Sequence, residues 1–495
     1  MQRRIGDTQQ LSPCAFLHGK HRKKEIMLRT RLESDSIGSM MIPADVYYGV
    51  QALRANRNFQ ITGQNMNPDF LRNLALIKKA AAITNCLAGD LSQEKAEAIE
   101  RACDEVIAGD LRKAFIVDPI QGGAGTSANM NMNEVIAHRA SEILGAGKDT
   151  YRVHPNDDVN MGQSTNDTIP TAGKMTVLTL AKPMLAEFGR LYRALEEKAD
   201  EFKDVIKMGR TQLQDAVPMT LGETFHAYAT MVKRAAKRVE KSLDEMKSVN
   251  MGGTAIGSCM NASDYYVDHI VPVLSKISGL HLTQADDLFD ATSDIDGFSA
   301  VSGALKAGMV SISKMCNDLR LLSSGPRCGL HEINLPAKQN GSSIMPGKVN
   351  PVIPEVVNQV TFLVAGHDTT IMMAAEAGQM ELNAFEPVTF HQLFESVIAV
   401  TGAIRTLVNN CILDLTANKE HCRKLAENST GIATALSPKA GYQKAASIAK
   451  TALHNGTSVR EEALKTGIFT DKELDSLLDL SKSVGKTGAA KAAAM

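Results

Sequence analysis

The sequence predicts an all-α protein organised around a bundle of long helices. Aromatic residues make up only 4% of the 495 residues, tryptophan is absent and methionine occurs 23 times. Such a composition favours packed helices over sheet sandwiches. Several long stretches also place apolar residues in steps of three or four, which is the spacing of one helix face and is typical of helical bundles.

Net charge and hydropathy exclude several kinds of partner. The formal net charge is −1 at pH 7, so nothing favours binding to nucleic acid or to an anionic membrane surface. No stretch approaches the roughly 18 consecutive apolar residues that a membrane-spanning helix needs. We therefore expect neither nucleic acid nor membrane as a partner.

The cysteines predict free thiols. They are scattered along the chain without a Cys-x-x-Cys pair, at Cys14, Cys86, Cys103, Cys259, Cys316, Cys328, Cys411 and Cys422. This spacing disfavours both a metal cluster and a disulfide framework. Reduced cysteines used as small apolar residues fit a reducing compartment, so we expect a cytoplasmic protein.

Residues 1–27 are expected to form a basic, disordered extension. Six lysines and arginines stand there against Asp7 and Glu25. The segment lacks the apolar core of about 7–15 residues that defines a secretory signal. A weak organelle-targeting segment is the alternative.

The first structured part is predicted to change from extended to helical. Residues 28–60 are rich in turn formers and are expected to be mainly extended. A helix then starts near Pro68, with Asp69 as its N-cap, and stops at Gly89. A second helix is predicted over residues 92–109.

Two polar clusters each precede a helix. Residues 121–134 contain three glycines before a helix predicted over 129–144, and residues 160–167 contain short hydroxyl and amide side chains. No Gly-Lys-Ser/Thr follows the glycines, which disfavours a nucleotide site. Backbone N–H groups at a helix start suit a carboxylate ligand.

Residues 168–415 are predicted to form one long helical body. Thr220 and Glu223 have the spacing of a capping box. Three apolar stripes follow helical spacing: Phe225, Tyr228, Val232, Ala235, Val239, Leu243 and Met246; Val301, Leu305, Met309, Ile312, Cys316 and Leu319; and Val356, Val360, Leu363 and Ile371. These stripes are interpreted as core.

The helix pattern divides the chain into domains. We predict an N-terminal domain over 28–163, a central helical-bundle domain over 164–417 and a small C-terminal helical domain over 418–495. The last part, residues 481–495, is rich in lysine, glycine and alanine and is expected to be disordered.

The stretch with the most chemistry is a loop at residues 341–351, Gly-Ser-Ser-Ile-Met-Pro-Gly-Lys-Val-Asn-Pro. Its glycines and prolines prevent regular structure, so backbone N–H groups and short polar side chains can face a ligand. Because Lys348 is positive, the expected ligand is an anion, and a small dicarboxylate would use every donor. Ile344 and Met345 are expected to pin the loop by apolar packing.

This loop resembles the signature of the aspartase/fumarase superfamily. Two more of the family's motifs occur in the family's order, Gly-Thr-Ser-Ala-Asn-Met-Asn-Met-Asn-Glu at 125–134 and Gln-Ser-Thr-Asn-Asp at 163–167. The similarity covers residues from about 28 to about 479, so Met27 is an alternative start. Members of this family eliminate a group from the β-position of a carboxylate and release fumarate.

The resemblance implies an assembly as well as a reaction. It implies a three-domain, all-α protomer in a homotetramer with a central bundle of long helices. Each active site would draw the 126, 164–166 and 341–350 regions from different subunits.

The resemblance also implies roles for individual residues. Ser342 would be the general base that removes the β-proton, with its anion stabilised by backbone N–H groups of residues 344–347 and by Lys348. The substrate-binding residues would be Ser343, Thr126, Ser164 and Thr165 on one carboxylate, Lys348, Asn350 and Thr211 on the other, Asn166 and Gln212 at the amino group, and Met345. Glu355 would have a supporting role.

Two branches of the family remain open at this point. Gln212 cannot take up a proton, which favours elimination of ammonia from L-aspartate over addition of water to fumarate. The segments 214–221, 323–327 and 350–359 also resemble the ammonia-lyase branch. Gly347 and Cys328 resemble the fumarases instead, so a class II fumarate hydratase is the alternative.

No organic cofactor is expected. The pair His331-Glu332 is not followed by a second histidine at zinc-protease spacing, which disfavours metal catalysis. A divalent cation such as Mg²⁺ activates some relatives, but no ligand motif for it is evident in the sequence.

Overall fold

The computed structural model describes residues 29–484, which are mostly helical with a few short strands. The prediction of an all-α fold is confirmed. The expectations for residues 1–27 and for residues 485–495 lie outside the described residues. The tail predicted to be disordered begins inside a short helix, Leu480–Ser483.

The helices are, in chain order, α1 (Val50–Asn58), α2 (Pro68–Ala88), α3 (Gln93–Ala108), α4 (Thr126–Ile143), α5 (Thr165–Glu201), α6 (Leu221–Ser242), α7 (Asp264–Ser278), α8 (Asp290–Ser293), α9 (Asp296–Leu322), α10 (Val352–Glu376), α11 (Glu386–Leu407), α12 (Lys419–Asn428), α13 (Ser437–Ala440), α14 (Tyr442–Asn455), α15 (Val459–Lys465), α16 (Asp471–Leu477) and α17 (Leu480–Ser483). The strands are β1 (Thr30–Asp35), β2 (Gly38–Pro43), β3 (Ile206–Thr211), β4 (Gln214–Thr220), β5 (Ser248–Val249), β6 (Thr283–Gln284), β7 (Ile333–Asn334) and β8 (Thr416–Ala417).

Five long helices form the central bundle. Helices α5, α6, α9, α10 and α11 pack as a ring in which each contacts the next, and α11 returns to α5. The predicted stripe that starts on α6 and the stripe on α9 are buried in one continuous core. The interpretation of the α10 stripe as core is wrong for two of its residues, because Val356 is 39% exposed and Leu363 is 46% exposed. Because α5 and α10 belong to this ring, the packing of the ring fixes the positions of their N-termini.

Local sequence explains how the longest helix begins and packs. Helix α5 has 37 residues and starts at a capping box made by Ser164 and Asp167. A Cβ added at Gly173 would lie 2.4 Å from the ring of Phe390 on α11, so only glycine permits this close approach. The capping box predicted at Thr220 also starts α6 as expected.

The N-terminal part differs from the prediction in two places. Residues 28–60 contain the hairpin of β1 and β2, as an extended segment should, but also the unpredicted helix α1. The N-cap of α2 is Asn67, not Asp69, because the Asn67 side chain accepts hydrogen bonds from the N–H groups of Asp69 and Phe70. Gly89 ends α2 in the left-handed conformation, as predicted.

The C-terminal helices build a second core together with a hairpin from the middle of the chain. Met208 on β3 is buried in the same apolar cluster as Ala426, Leu436 and Leu474. By contrast, one core runs through both the N-terminal helices and the bundle. The predicted domain boundaries stay a prediction.

The described cysteines are free thiols, and burial raises the pKa of both Cys411 and Cys422 to about 12. These thiols therefore remain protonated and pack as small apolar groups. Between residues 29 and 484, no helix is long and apolar enough to cross a membrane.

Candidate active site

The first polar cluster lies at the start of α4. Thr126 is the first residue of this helix, after Gly125 in the left-handed conformation. Its hydroxyl donates to the carbonyl of Gly123 at 2.7 Å, and the side chain is exposed. The helix thus starts three residues earlier than predicted, and in its first turn the N–H groups of Thr126 and Ala128 donate to Gly123 O and Gln121 Oε1.

The second cluster lies at the start of α5. Ser164 is the N-cap, and its Oγ accepts a hydrogen bond from the N–H of Asn166 at 3.2 Å. Thr165 follows as the first helical residue and is half-buried. No acceptor for the hydroxyl hydrogens of Ser164 and Thr165 lies at this helix start in the described residues. Both hydroxyls can therefore donate to an anion at the positive end of a long helix.

Asn129 joins the two helix starts. Its Nδ2 donates to Thr165 Oγ1 at 3.2 Å, and its Oδ1 accepts from Thr168 Oγ1 at 3.4 Å. The expectation that the 126 and 164–166 regions come from different subunits is therefore wrong, because a buried side chain three residues into α4 binds α5 of the same chain. Two helix N-termini meet at one place, which concentrates positive potential there.

A loop that the sequence reading missed supports this cluster. Asn166 Nδ2 donates to the carbonyl of Ala255 at 2.7 Å. Asp167, fully buried, accepts hydrogen bonds from the N–H groups of Gly252 and Thr254. Burial raises the pKa of Asp167 to about 7, against the opposing effect of these N–H groups.

The same loop carries backbone strain. Thr254, Cys259 and Asn261 adopt positive φ angles of 58°, 58° and 67°, a region that side-chain-bearing residues avoid. Strain of this kind is concentrated at ligand sites. The repeated glycines and asparagines of residues 250–262 are the sequence signal that could have identified it.

The third cluster is the loop of residues 341–351, which leads into α10. Ser342 Oγ accepts hydrogen bonds from the N–H groups of Ile344 and Met345, both at 3.1 Å. Two donors aimed at one hydroxyl oxygen favour its ionised form, which is what a serine base requires. The predicted source of that stabilisation, the backbone of residues 344–347, is thus present in the first two of its N–H groups.

The predicted apolar anchoring of this loop is wrong. Ile344 is 84% exposed and Met345 is 47% exposed, so neither is buried within the chain. The loop is closed by polar bonds instead: the N–H of Gly341 donates to Lys348 O at 2.8 Å, and Asn350 Nδ2 donates to Gly341 O at 2.9 Å. Backbone and amide groups therefore hold the loop closed, while its two apolar side chains are exposed.

The remaining polar groups of this loop are available. Ser343 and Lys348 are exposed, and within residues 29–484 their side chains have no hydrogen-bond or ion-pair partner. Glu355 is half-buried in the first turn of α10, and its carboxylate likewise has no partner there. An ammonium, a hydroxyl and a carboxylate are therefore free to meet a ligand or another chain.

Thr211 and Gln212 lie at the tip of the β3–β4 hairpin. Thr211 pairs with Gln214, and Gln212 and Leu213 form the turn with φ angles of 52° and 65°. Such a two-residue turn normally uses asparagine and glycine, so this one is strained. Arg210 nearby is not free, because its guanidinium donates to Glu332 at 2.8 Å.

The structure therefore brings only part of the predicted site together. Thr126, Ser164, Thr165 and Asn166 form one cluster. The loop with Ser342, Ser343, Met345, Lys348 and Asn350, next to Glu355, forms a second cluster, and Thr211 with Gln212 forms a third. In the part of the chain that is described, no hydrogen bond or ion pair joins one cluster to another. No group of three or more His, Cys, Asp or Glu side chains that could hold a metal ion occurs there either.

Comparisons with known proteins find lyases similar to this chain over most of its length. A family model described as lyase matches residues 38–366, and a model described as fumarase C C-terminus matches residues 432–482. An aspartate ammonia-lyase from Pseudomonas fluorescens is 50% identical over 452 residues, covering 90% of this chain and 95% of that protein.

Two solved structures have the same fold. One, a fumarate lyase:delta crystallin from Brucella melitensis bound to cobalt, is 49% identical with a TM-score of 0.89, covering 92% of this chain and 99% of that one. The other, a class II fumarase from Schistosoma mansoni, is 34% identical with a TM-score of 0.89, covering 91% of this chain and 98% of that one.

Proposed function

The chain belongs to the lyase family that includes aspartate ammonia-lyases and class II fumarases, and on that premise we propose that it converts L-aspartate to fumarate and ammonia. The protein is a carbon–nitrogen lyase. Curated aspartate ammonia-lyases share 47% to 50% of their residues with it over almost its whole length, whereas the fumarase structure shares 34%.

The observation that carries the mechanism is the environment of Ser342 Oγ. Two N–H groups donate to it at 3.1 Å in a loop that also presents a free ammonium. As an alkoxide, Ser342 takes the proton from the β-carbon and becomes a hydroxyl. The electrons of the broken C–H bond move onto the neighbouring carboxylate, giving a doubly negative enediolate. When the Cα–N bond breaks, its electron pair stays with the nitrogen, so the protonated amino group leaves as neutral ammonia, and the electron pair of the enediolate forms the double bond of fumarate.

The hydroxyls at the two helix starts would stabilise the enediolate. Ser164 and Thr165 can each donate a hydrogen bond at the N-terminus of α5, where the helix dipole also favours negative charge. Ser343 completes this group, and Thr126 would join it by turning its hydroxyl from Gly123 O, to which it donates, towards the substrate. Donors of this kind contribute about 10²- to 10³-fold each to rates in comparable oxyanion sites.

The other groups would hold the rest of the substrate. Lys348, Asn350 and Thr211 would bind the second carboxylate, and Asn166 with Gln212 would face the amino group. Met345 would line the site, and Glu355 would support it. Hydroxyls and amides are suitable partners because they bind a dianion without cancelling the charge that the reaction needs.

The site would be completed by other copies of the chain, in a homotetramer. Within residues 29–484 no hydrogen bond or ion pair joins its three clusters to one another, yet each cluster holds unpaired polar groups. Helix α10 exposes large apolar side chains that solvent disfavours: Phe362 at 69%, Met373 at 62%, Met372 at 54% and Leu363 at 46%. An apolar face of this kind on a bundle helix supports packing against a second copy.

Subunit complementation tests the shared sites. Thr165→Val and Ser342→Ala chains are each expected to be nearly inactive, but refolding them together in equal amounts should restore about a quarter of the wild-type sites if each site draws the two clusters from different copies. No recovery in mixed assemblies of confirmed composition would contradict shared sites.

We further propose that the reaction needs no organic cofactor and that the protein works in the cytoplasm. The first proposal is supported by the chemistry of the groups above, which bind and deprotonate without an electron sink. The second is supported by the buried free thiols. Activation by a divalent cation such as Mg²⁺ has no supporting ligand set in the described residues.

The reaction itself is tested with two substrates. The purified protein is incubated separately with L-aspartate and L-malate, and the rise in fumarate absorbance is followed. Fumarate from aspartate is the expected result. Fumarate from malate alone would instead favour a class II fumarate hydratase, the alternative suggested by Gly347 and Cys328. Absence of turnover with either acid would indicate a non-catalytic member of the fold.

A further inference from the structure

A lysine is buried beneath the substrate cluster without a carboxylate partner. Lys78 on α2 is fully buried, and no acidic oxygen lies within ion-pair distance of its Nζ in the described residues. Its ammonium donates to Asn160 Oδ1 at 3.0 Å and to Gln163 Oε1 at 2.9 Å. Burial lowers the pKa of Lys78 to about 7. A charged group placed so unfavourably, when leucine or methionine would fit, calls for an explanation.

A chain of hydrogen bonds leads from this lysine to the substrate hydroxyls. Asn160 Oδ1 also accepts from Asn129 Nδ2 at 3.2 Å. The same Asn129 Nδ2 donates to Thr165 Oγ1 at 3.2 Å. Lys78 is therefore three hydrogen bonds from Thr165, with Asn160 and Asn129 between them.

The donors in this chain impose a direction on it. Lys78 donates to the oxygen of the Asn160 amide, and the same orientation is held by Asn160 Nδ2, which donates to Gln163 O at 3.1 Å. That oxygen also accepts from Asn129 and, at 3.1 Å, from Asn133 Nδ2, so Asn129 presents its nitrogen both to Asn160 and to Thr165. Because Thr165 Oγ1 accepts this bond, its own hydrogen is left to donate outward. Lys78 is thus one of the groups that favour this direction of the last hydrogen bond, together with Asn133, the carbonyl of Gln163 and Thr168.

We propose that Lys78 is a positioning residue for the elimination reaction, and that it acts through Asn160 and Asn129 to make Thr165 a hydrogen-bond donor to the substrate carboxylate. This inference rests on the proposed function, because it takes the ligand of Thr165 to be a carboxylate that becomes an enediolate. Lys78 itself does not touch the substrate.

The chain of hydrogen bonds from Lys78 through Asn160 and Asn129 to Thr165, called the relay from here on, matters most when negative charge increases on the substrate carboxylate. A hydrogen bond to an enediolate is stronger than one to a carboxylate, so losing its donor affects the reaction step more than ground-state binding. We therefore expect a lower kcat with a nearly unchanged KM. A general loss of packing around α2 would instead lower thermal stability.

The test compares Lys78→Met with Lys79→Met. Methionine fills a similar volume without donating. Lys79 is the next residue of the same helix, but its ammonium binds Asp104 at 2.7 Å at the surface, so its variant removes one charge outside the relay. We expect Lys78→Met to lower kcat by about 10- to 100-fold with KM within about threefold, and without a lower melting temperature. Lys79→Met should match the wild type in kcat and KM.

A double-mutant cycle tests whether Lys78 acts through Thr165. In a Thr165→Val background there is no hydroxyl to orient, so Lys78→Met should cause less than about a threefold further loss of kcat. If Lys78→Met does not fold, Lys78→Gln, which keeps a donor for Asn160, replaces it and is expected to lose less activity.

Several results would overturn the proposal. These are wild-type kcat in Lys78→Met, an equal loss in Lys79→Met, or full additivity of the Lys78 and Thr165 substitutions. All rates are measured with whichever acid the wild type converts. A wild type active only on malate would thus refute the proposed substrate, while the ratios between variants would still decide the role of Lys78.

Discussion

The assignment of Ser342 as the general base predicts the largest loss of activity from the removal of a single side-chain oxygen. In Ser342→Ala the oxygen that receives the N–H groups of Ile344 and Met345 is removed. Ile344 is 84% exposed, so water can replace the lost hydrogen bonds in this open loop. We therefore expect a change in unfolding free energy below about 1 kcal/mol, as for other surface substitutions.

The loss of activity should be much larger than the loss of stability. A positioned general base contributes about 10²- to 10⁴-fold to a rate, and no other described group of this loop can take its place. The groups assigned to the carboxylates remain, including Lys348 and Asn350. We therefore expect kcat to fall by at least about 10²-fold while the dissociation constant for L-aspartate changes by less than about tenfold.

The assay separates these two quantities. Turnover is followed by fumarate absorbance, and binding of L-aspartate to the variant is followed by calorimetry. Ser343→Ala is the matched comparison, because it removes the neighbouring hydroxyl, which is assigned to the enediolate and not to proton removal, so it should lower kcat less than Ser342→Ala does. Ser342→Ala with turnover near that of the wild type would refute the base assignment.

Three further predictions test other parts of the site. Lys348→Ala should raise KM roughly 10- to 100-fold, as expected for loss of a hydrogen bond to a charged group, and an unchanged KM in steady-state assays would contradict its role. Leu213→Gly should raise the unfolding free energy by about 1 kcal/mol in denaturant titrations, because glycine relieves the positive φ at the hairpin tip, whereas a loss of stability would contradict the strain. Because the folded pKa of Lys78 is lowered to about 7, its burial costs stability that is regained as pH rises towards the pKa of the unfolded chain. As pH rises above about 7, the wild type should gain stability relative to Lys78→Met, and because Asp167 interacts with Lys78 and also titrates near 7, the direction of this change is the test. A pH-independent difference would refute the shift.

The bundle could be predicted because its signals are local and repeated. The stripes on α6, α9 and α10 keep helical spacing over many turns, and the Thr220 capping box marks a helix start without help from distant residues. The tight hairpin at Gln212 and Leu213 could not be predicted, since neither residue is a turn former. The pairing of β3 with β4, with Thr211 opposite Gln214, leaves these two residues to form the turn against their local preference.

The candidate site was predictable where its residues lie in loops and at helix starts. Ser342, Thr126 and Ser164 stand in motifs that resemble those of the superfamily, although Ser164 also caps α5. Lys78 was not predicted as a functional residue, because the adjacent pair Lys78 and Lys79 normally indicates the solvent-exposed face of a helix. Its position four residues after buried Leu74 was the available signal, since residues four apart share a helix face. The relay through Asn160 depends on contacts between distant segments, which spacing alone does not reveal.

The most direct test of the proposed reaction runs it in reverse in a single vessel. Fumarate is supplied with ammonium in water, and the products are identified by NMR. The proposed function predicts aspartate as the main product, formed faster as ammonium increases, and its formation should be lost in Ser342→Ala. Malate as the main product, at a rate independent of ammonium, would contradict it.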